Sequence, residues 1–240
     1  DALHQWSIAN PADVWSAYWD FAELQASRKG AIAVEDLDQF PGARWFPEAK
    51  LNYAENLLTT RSSKTAFVSI LENGERKSIS YEQLYSETSD VQFLLKSHIS
   101  KGDRVAGWLP NTIETVVAML ATSSLGGVWS SCSPDFGIEG ALDRFGQIEP
   151  KVLFACDGYF YAGKRINIRE KVRSVAQQVR SIELIVWVSV LEDTQAAQSK
   201  ETNWGHWPSA LSPAINFEQL AFDHPLYIMY SSGTTGLPKS

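Results

Sequence analysis

Apolar residues recur on one helical face over residues 13–26, where Val14, Trp15, Tyr18, Trp19, Phe21, Ala22 and Leu24 follow the cap and first-turn pair Asn10-Pro11. This spacing predicts an amphipathic helix with an aromatic face. Residues 40–47, punctuated by Pro41, Gly42 and Pro47, exclude regular helix, and residues 51–58 predict a short second helix. The first 58 residues therefore read as a helical segment without strands.

The period changes at Thr65. An apolar run over 65–71, the dipeptide Asn73-Gly74 and alternation over 75–80 predict a β-hairpin. Ser80 with Gln83 three residues later forms a capping box, which opens a helix ending near His98. Beyond the turn Lys101-Gly102-Asp103, the pattern predicts a strand over 104–109, a helix over 112–125 stopped by Gly126-Gly127, and a strand over 128–131. It then predicts a helix over 137–148, a strand over 151–155, a basic amphipathic helix over 167–180 and a strand over 182–190. Strands this apolar are expected where helices cover both faces. The fold class is thus α/β: a strandless helical segment over 1–58, then a doubly wound, mainly parallel sheet over 59–240. Residues 191–213 read as an irregular polar segment, 217–221 as a helix and 226–230 as a last strand.

Composition leaves this picture intact and narrows the partners. With 44% apolar and 20% charged residues the chain is an ordinary globular one, and its formal net charge of -7 argues against nucleic acid or an anionic membrane as partner. No apolar run approaches 18 residues and the opening residues carry no signal-peptide pattern, which favours the cytoplasm. Cys132 and Cys156 show no metal-ligand spacing, and neither do His4, His98, His206 and His224, so no protein-built metal site is expected.

The chemistry concentrates in residues 231–240, SSGTTGLPKS, directly behind an apolar run. Amides, hydroxyls and one cation converging on an anion make a phosphate-handling loop. A flexible linker is the bland alternative. A Walker loop needs Lys immediately after its second Gly, whereas Leu237-Pro238 separate Gly236 from Lys239, so that reading fails on spacing.

These ten residues resemble, without a gap, the phosphate loop of the adenylate-forming superfamily of acyl-CoA synthetases, luciferases and peptide-synthetase adenylation domains. The resemblance implies that a carboxylate attacks the α-phosphorus of ATP, whose Mg2+ rides on the phosphates, while the loop holds the β- and γ-phosphates. Carried over, Ser231, Ser232, Thr234 and Thr235 supply hydroxyls, Gly233 and Gly236 allow close backbone approach, and Lys239 adds a point charge. Thr234, Thr235 and Lys239 are then the residues expected to act in the chemical step.

Two further segments, residues 45–58 and 101–137, resemble the acetyl-CoA synthetase branch. Within it, Ser131-Cys132-Ser133-Pro134-Asp135-Phe136-Gly137 followed by Asp143-Arg144-Phe145 is most similar to the members that activate acetoacetate. The expected substrates are acetoacetate or a similar short carboxylate, ATP and CoA; an acetyl- or propionyl-CoA synthetase relative, or a non-enzymatic CoA- or nucleotide-binding module, is the alternative. Gly163, Lys164 and Arg165 occupy the place where that branch presents arginines to CoA, although Tyr161 and Lys164 stand where Arg is usual. The competing reading makes Lys164, Arg165, Arg169, Lys171 and Arg173 a solvated basic face. The superfamily's adenine, ribose and hinge motifs do not occur before Ser240, so the chain is expected to be the N-terminal part of such a ligase and silent alone.

Overall fold

The computed structural model describes residues 1–192, 197–207 and 214–231. The chain forms two compact units, the first made of Asp1–Thr59 and Phe217–His224. In it, α1 (Ala2–Ala9) precedes α2 (Pro11–Phe21), and Pro11 opens α2 where its missing N–H costs nothing. The helix expected to reach residue 26 stops at Phe21 because Glu23 turns left-handed, with φ +49°. Short strands come next: β1 (Ala26–Arg28), β2 (Val34–Glu35), β3 (Arg44–Trp45) and β4 (Lys50–Leu51), then α3 (Tyr53–Leu57). The segment is therefore not strandless. Each strand is only two or three residues long, too short for alternation to register, and β4 finds one of its partners far away in sequence. The core of this unit is Trp19, Phe46 and Ala49, with the Trp19 and Phe46 rings 4.7 Å apart.

The second unit opens with the hairpin β5 (Thr65–Ile70) and β6 (Arg76–Ser80), as the Asn73-Gly74 signal implies. Then comes α4 (Tyr81–Leu95), capped by both halves of the box: Gln83 N–H donates to Ser80 Oγ at 3.2 Å, and Ser80 N–H to Gln83 Oε1 at 3.0 Å. The alternation continues through β7 (Arg104–Trp108), α5 (Ile113–Ser124), β8 (Val128–Cys132), α6 (Ile138–Ile148) and β9 (Val152–Cys156). A hairpin, β10 (Gly158–Tyr161) and β11 (Lys164–Asn167), is inserted before α7 (Arg169–Gln178), β12 (Leu184–Val188) and β13 (Glu201–Asn203). The last strand lies inside the stretch expected to be irregular; at three residues it too is below the length that periodicity detects. The chain returns to the first unit at β14 (Leu220–Ala221), where a helix was expected; it is extended because it pairs with β4 of that same unit.

The main sheet runs β13-β12-β9-β7-β8, with every pair parallel. Within it β9 and β12 are buried along their whole length, which explains their unbroken apolar sequences. The β7–α5–β8 connection steps one way across the sheet, while β8–α6–β9 and β9–α7–β12 step the other way. Right-handed crossovers then put α5 on one face and α6 with α7 on the opposite face. The packing agrees: α4 lies on α5, and α6 on α7. Gly107 in β7 is required by close approach, since a Cβ there would stand 2.6 Å from the Trp129 ring.

The outer strand β13 is fastened by one buried ion pair. Arg173 on α7 donates from Nε and Nη2 to the two carboxylate oxygens of Glu201, at 2.9 and 3.1 Å, and Trp187 Nε1 adds a bond of 3.0 Å. The Glu201 side chain is only 4% exposed. Burial pulls its carboxyl upward, but hydrogen bonds from Arg173, Gln198 and Trp187 outweigh that and hold it below its ordinary value of 4.5. A carboxyl lowered on folding stabilises the native state above its unfolded value, and that contribution is lost as pH falls through its folded value. Glu201→Gln is thus expected to lower the urea midpoint at pH 7, with the gap to the parent chain closing as pH drops below 4.5. A gap that stays constant over that range would rule out the carboxylate's contribution.

Candidate functional site

All strands of the main sheet point the same way, so their carboxyl ends share one edge. The crossovers leaving neighbouring β7 and β9 go to opposite faces, and the helices part there to open a crevice. A cleft of about 450 Å³ occupies that position. It is lined by Leu109 to Asn111 after β7, Ser131 to Asp135 at the end of β8, Tyr159 to Tyr161 on β10, and Leu71 with Glu72 on the β5–β6 turn. A second hollow of about 440 Å³ adjoins it, sharing Thr115 and Ser131 and reaching Tyr227 and Tyr230.

Each wall has a specific tether. Trp108 Nε1 donates to the carbonyl of Ser133 at 3.0 Å, and Thr115 Oγ1 to that of Pro110 at 2.8 Å, which fixes the loops after β8 and β7. Asp157, fully buried one residue beyond β9, accepts from the amides of Val190 and Leu191 at 2.8 and 3.0 Å, and so tethers the exit from β12. The β10–β11 hairpin turns through Ala162 and Gly163, both left-handed at φ +48° and +73°, and the amide of Ala162 donates to Glu72 Oε1 at 2.8 Å. Arg144 on α6 lies 4.2 Å over the Phe136 ring and 5.5 Å from that of Tyr230, whose hydroxyl donates to the Arg144 carbonyl at 2.7 Å. Burial raises the Tyr230 phenol, which stays protonated and able to donate.

Among the sequence-derived candidates, Ser231 is exposed, at the end of a stretch that runs parallel beside β8. That stretch is aligned by Trp129 N–H on the carbonyl of Leu226 at 3.0 Å and Ile228 N–H on that of Trp129 at 2.9 Å. Ser232, Gly233, Thr234, Thr235, Gly236 and Lys239 lie outside the described residues. Gly163 and Lys164 are exposed at the hairpin tip, next to the cleft residue Tyr161. Arg165 instead turns a guanidinium N–H onto the carbonyl of Leu191, which gives it a structural partner. Sequence reasoning overlooked Glu72, Asp157 and the hairpin itself; only the Asp157-Gly158 pair closing an apolar run offered a signal. Among the described residues no group of three or more His, Cys, Asp or Glu side chains is placed to hold a metal ion, and no helix is long and apolar enough to cross a membrane.

Residues 54–240 match the family model for AMP-binding enzymes, and residues 1–57 that for the acetyl-coenzyme A synthetase N-terminus. The chain belongs to the AMP-binding enzyme family. It is 42% identical to the acetoacetyl-coenzyme A synthetase of Rhizobium meliloti (strain 1021), over 100% of this chain and 37% of that protein. It is 37% identical to the acetoacetyl-CoA synthetase of Gallus gallus, over 99% of this chain and 37% of that one. Among solved structures, the acetoacetyl-CoA synthetase from Streptomyces lividans superposes with a TM-score of 0.92 at 38% identity, covering 99% of this chain and 37% of that one. The chain thus spans little more than a third of the length of these relatives.

The two thiols fall at the carboxyl ends of β8 and β9. Burial pushes Cys132 up to about 12, with Asp135 adding to it and Arg144 opposing, and burial with the Asp157 charge pushes Cys156 up to about 12. At pH 8 only roughly one such thiol in ten thousand is the reactive thiolate. Iodoacetamide is therefore expected to leave both unlabelled in the native protein at pH 8 and to modify both in denaturant, as read by intact mass. Rapid native labelling of either would show that burial does not hold that thiol protonated.

Proposed function

We propose that the protein carrying this chain is an AMP-forming acid–thiol ligase that activates acetoacetate with ATP, releases pyrophosphate and passes the acyl group to CoA. Residues 1–58 serve as its N-terminal segment and 59–240 as the first part of its AMP-binding domain. One observation supports the reading: the stretch up to Ser231, the first residue of SSGTTGLPKS, runs parallel to β8, and its Tyr230 lines the hollow that adjoins the cleft.

The donor set of the loop fits a polyphosphate: five hydroxyls, amides freed by two glycines, one ammonium and no carboxylate. Ser231, Ser232, Thr234 and Thr235 orient the phosphates, Gly233 and Gly236 let the backbone approach, and Lys239 neutralises developing charge; Mg2+ arrives with the nucleotide. CoA's phosphate meets Lys164 at the tip formed with Gly163, and Arg165 holds that hairpin against the segment after β12. The acetoacetate assignment is supported by the relatives named above and by the Phe136–Arg144 stack, which is built from the two sequence segments that resemble acetoacetate-activating members. Buried free thiols suit a reducing cytoplasm.

The test is acetoacetate-dependent ATP–pyrophosphate exchange, on these 240 residues and on the longest polypeptide that carries them. Exchange is expected from the longer form only, and Lys239→Ala is expected to lower it by about 100- to 1000-fold. Full exchange by the 240 residues alone would remove the need for further chain, and a preference for acetate over acetoacetate would overturn the substrate.

A further inference from the structure

Among the described residues the β10–β11 hairpin forms a two-stranded sheet of its own, and a lone two-stranded ribbon is marginal in water. Its tip must be held from outside if Lys164 is to present a charge at one place. At its base, Gly158 packs so closely against Leu191, outside the hairpin, that a Cβ would collide with its Cδ1. Midway, Arg165 is anchored on the Leu191 carbonyl. At the tip, Ala162 N–H donates to Glu72 Oε1 at 2.8 Å, between residues 90 apart in sequence.

Two features make that bond more than a surface contact. Ala162 sits at φ +48°, a conformation that L-residues with a Cβ resist, so the turn needs support. Glu72 is itself held in a stiff turn, in which Gly74 N–H donates to the Leu71 carbonyl, Leu71 N–H to the Glu75 carbonyl, and Glu75 N–H to Asn73 Oδ1, at 2.9, 2.9 and 3.0 Å. A carboxylate acceptor strengthens the bond to the amide. The same negative charge suits Glu72 poorly as a direct ligand for an anionic cofactor, although it lines the cleft.

We propose that Glu72 is a positioning residue, which fixes the Ala162–Gly163 turn and through it aims Lys164 at the phosphate of CoA. This rests on the ligase reading above. In the full-length protein, Glu72→Ala is expected to raise the KM for CoA in thioester formation about tenfold, with kcat and acetoacetate-dependent ATP–pyrophosphate exchange within about twofold of the parent. Glu72→Gln keeps an acceptor oxygen and is expected to restore the KM. An unchanged KM in Glu72→Ala, or equal loss in both variants, overturns the proposal while leaving the ligase reading standing. Should the parent itself fail to exchange pyrophosphate, the ligase reading and the CoA role fall together. Amide hydrogen exchange then decides the positioning itself: faster exchange at Ala162 in Glu72→Ala but not in Glu72→Gln supports the tether, and equal rates in all three forms remove it.

Discussion

The placement of β7 between β8 and β9, all parallel, is the constraint on which the rest of the second unit depends. Parallel neighbours must be joined by crossovers, and crossovers of one hand force the helices onto two faces once the strand order reverses. The reversal falls beside β7, so the crevice can open only there and only at the carboxyl ends. Everything chemical then has to be delivered to that edge by the segment leaving each strand. Those segments are short and tethered: Leu109 to Asn111 after β7, the Ser133 turn under Trp108 after β8, and the buried Asp157 after β9.

How far this was legible depends on where each signal is stored. The hairpin at Asn73-Gly74, the Ser80–Gln83 box and the helices of the main layer are local patterns, and the chain forms them as written. The strands β1 to β4 and β14 have no local pattern to read. Leu51 is extended because Ala26 lies on one side of it and Leu220 on the other, and neither is near in sequence. The helix reading of residues 217–221 failed for the same reason: propensity yields when a remote strand offers backbone partners.

The candidate site divides along the same line. The proposed phosphate loop rests on residue types and spacing, which sequence alone supplies. Glu72 and Asp157 are ordinary acidic residues until folding brings Ala162 to one and the Val190–Leu191 amides to the other. Sequence also treats Lys164 and Arg165 as one basic pair. In the hairpin they alternate sides, and the fork of Arg165 is turned to a backbone carbonyl while Lys164 remains exposed at the turn.

The two edges of the main sheet are held by different physics, and the difference bears on the site. At β13 three residues pair with β12, and the Arg173–Glu201 ion pair is shielded from water and locked by Trp187. At the opposite edge a bridge joins Tyr227 to Trp129, and neutral hydrogen bonds from Ser130 to the Ile228 carbonyl, from Tyr230 to the Arg144 carbonyl and from Tyr227 to Met119 Sδ, at 2.9, 2.7 and 3.2 Å, help to hold it. Met229 stays 79% exposed there. Parting Tyr227 and Ile228 from β8 leaves no charge unpaired in the interior, whereas releasing β13 separates the buried Glu201 from Arg173. The edge held by neutral hydrogen bonds is the one beside the cleft, and the edge locked by a buried ion pair lies at the far side of the sheet.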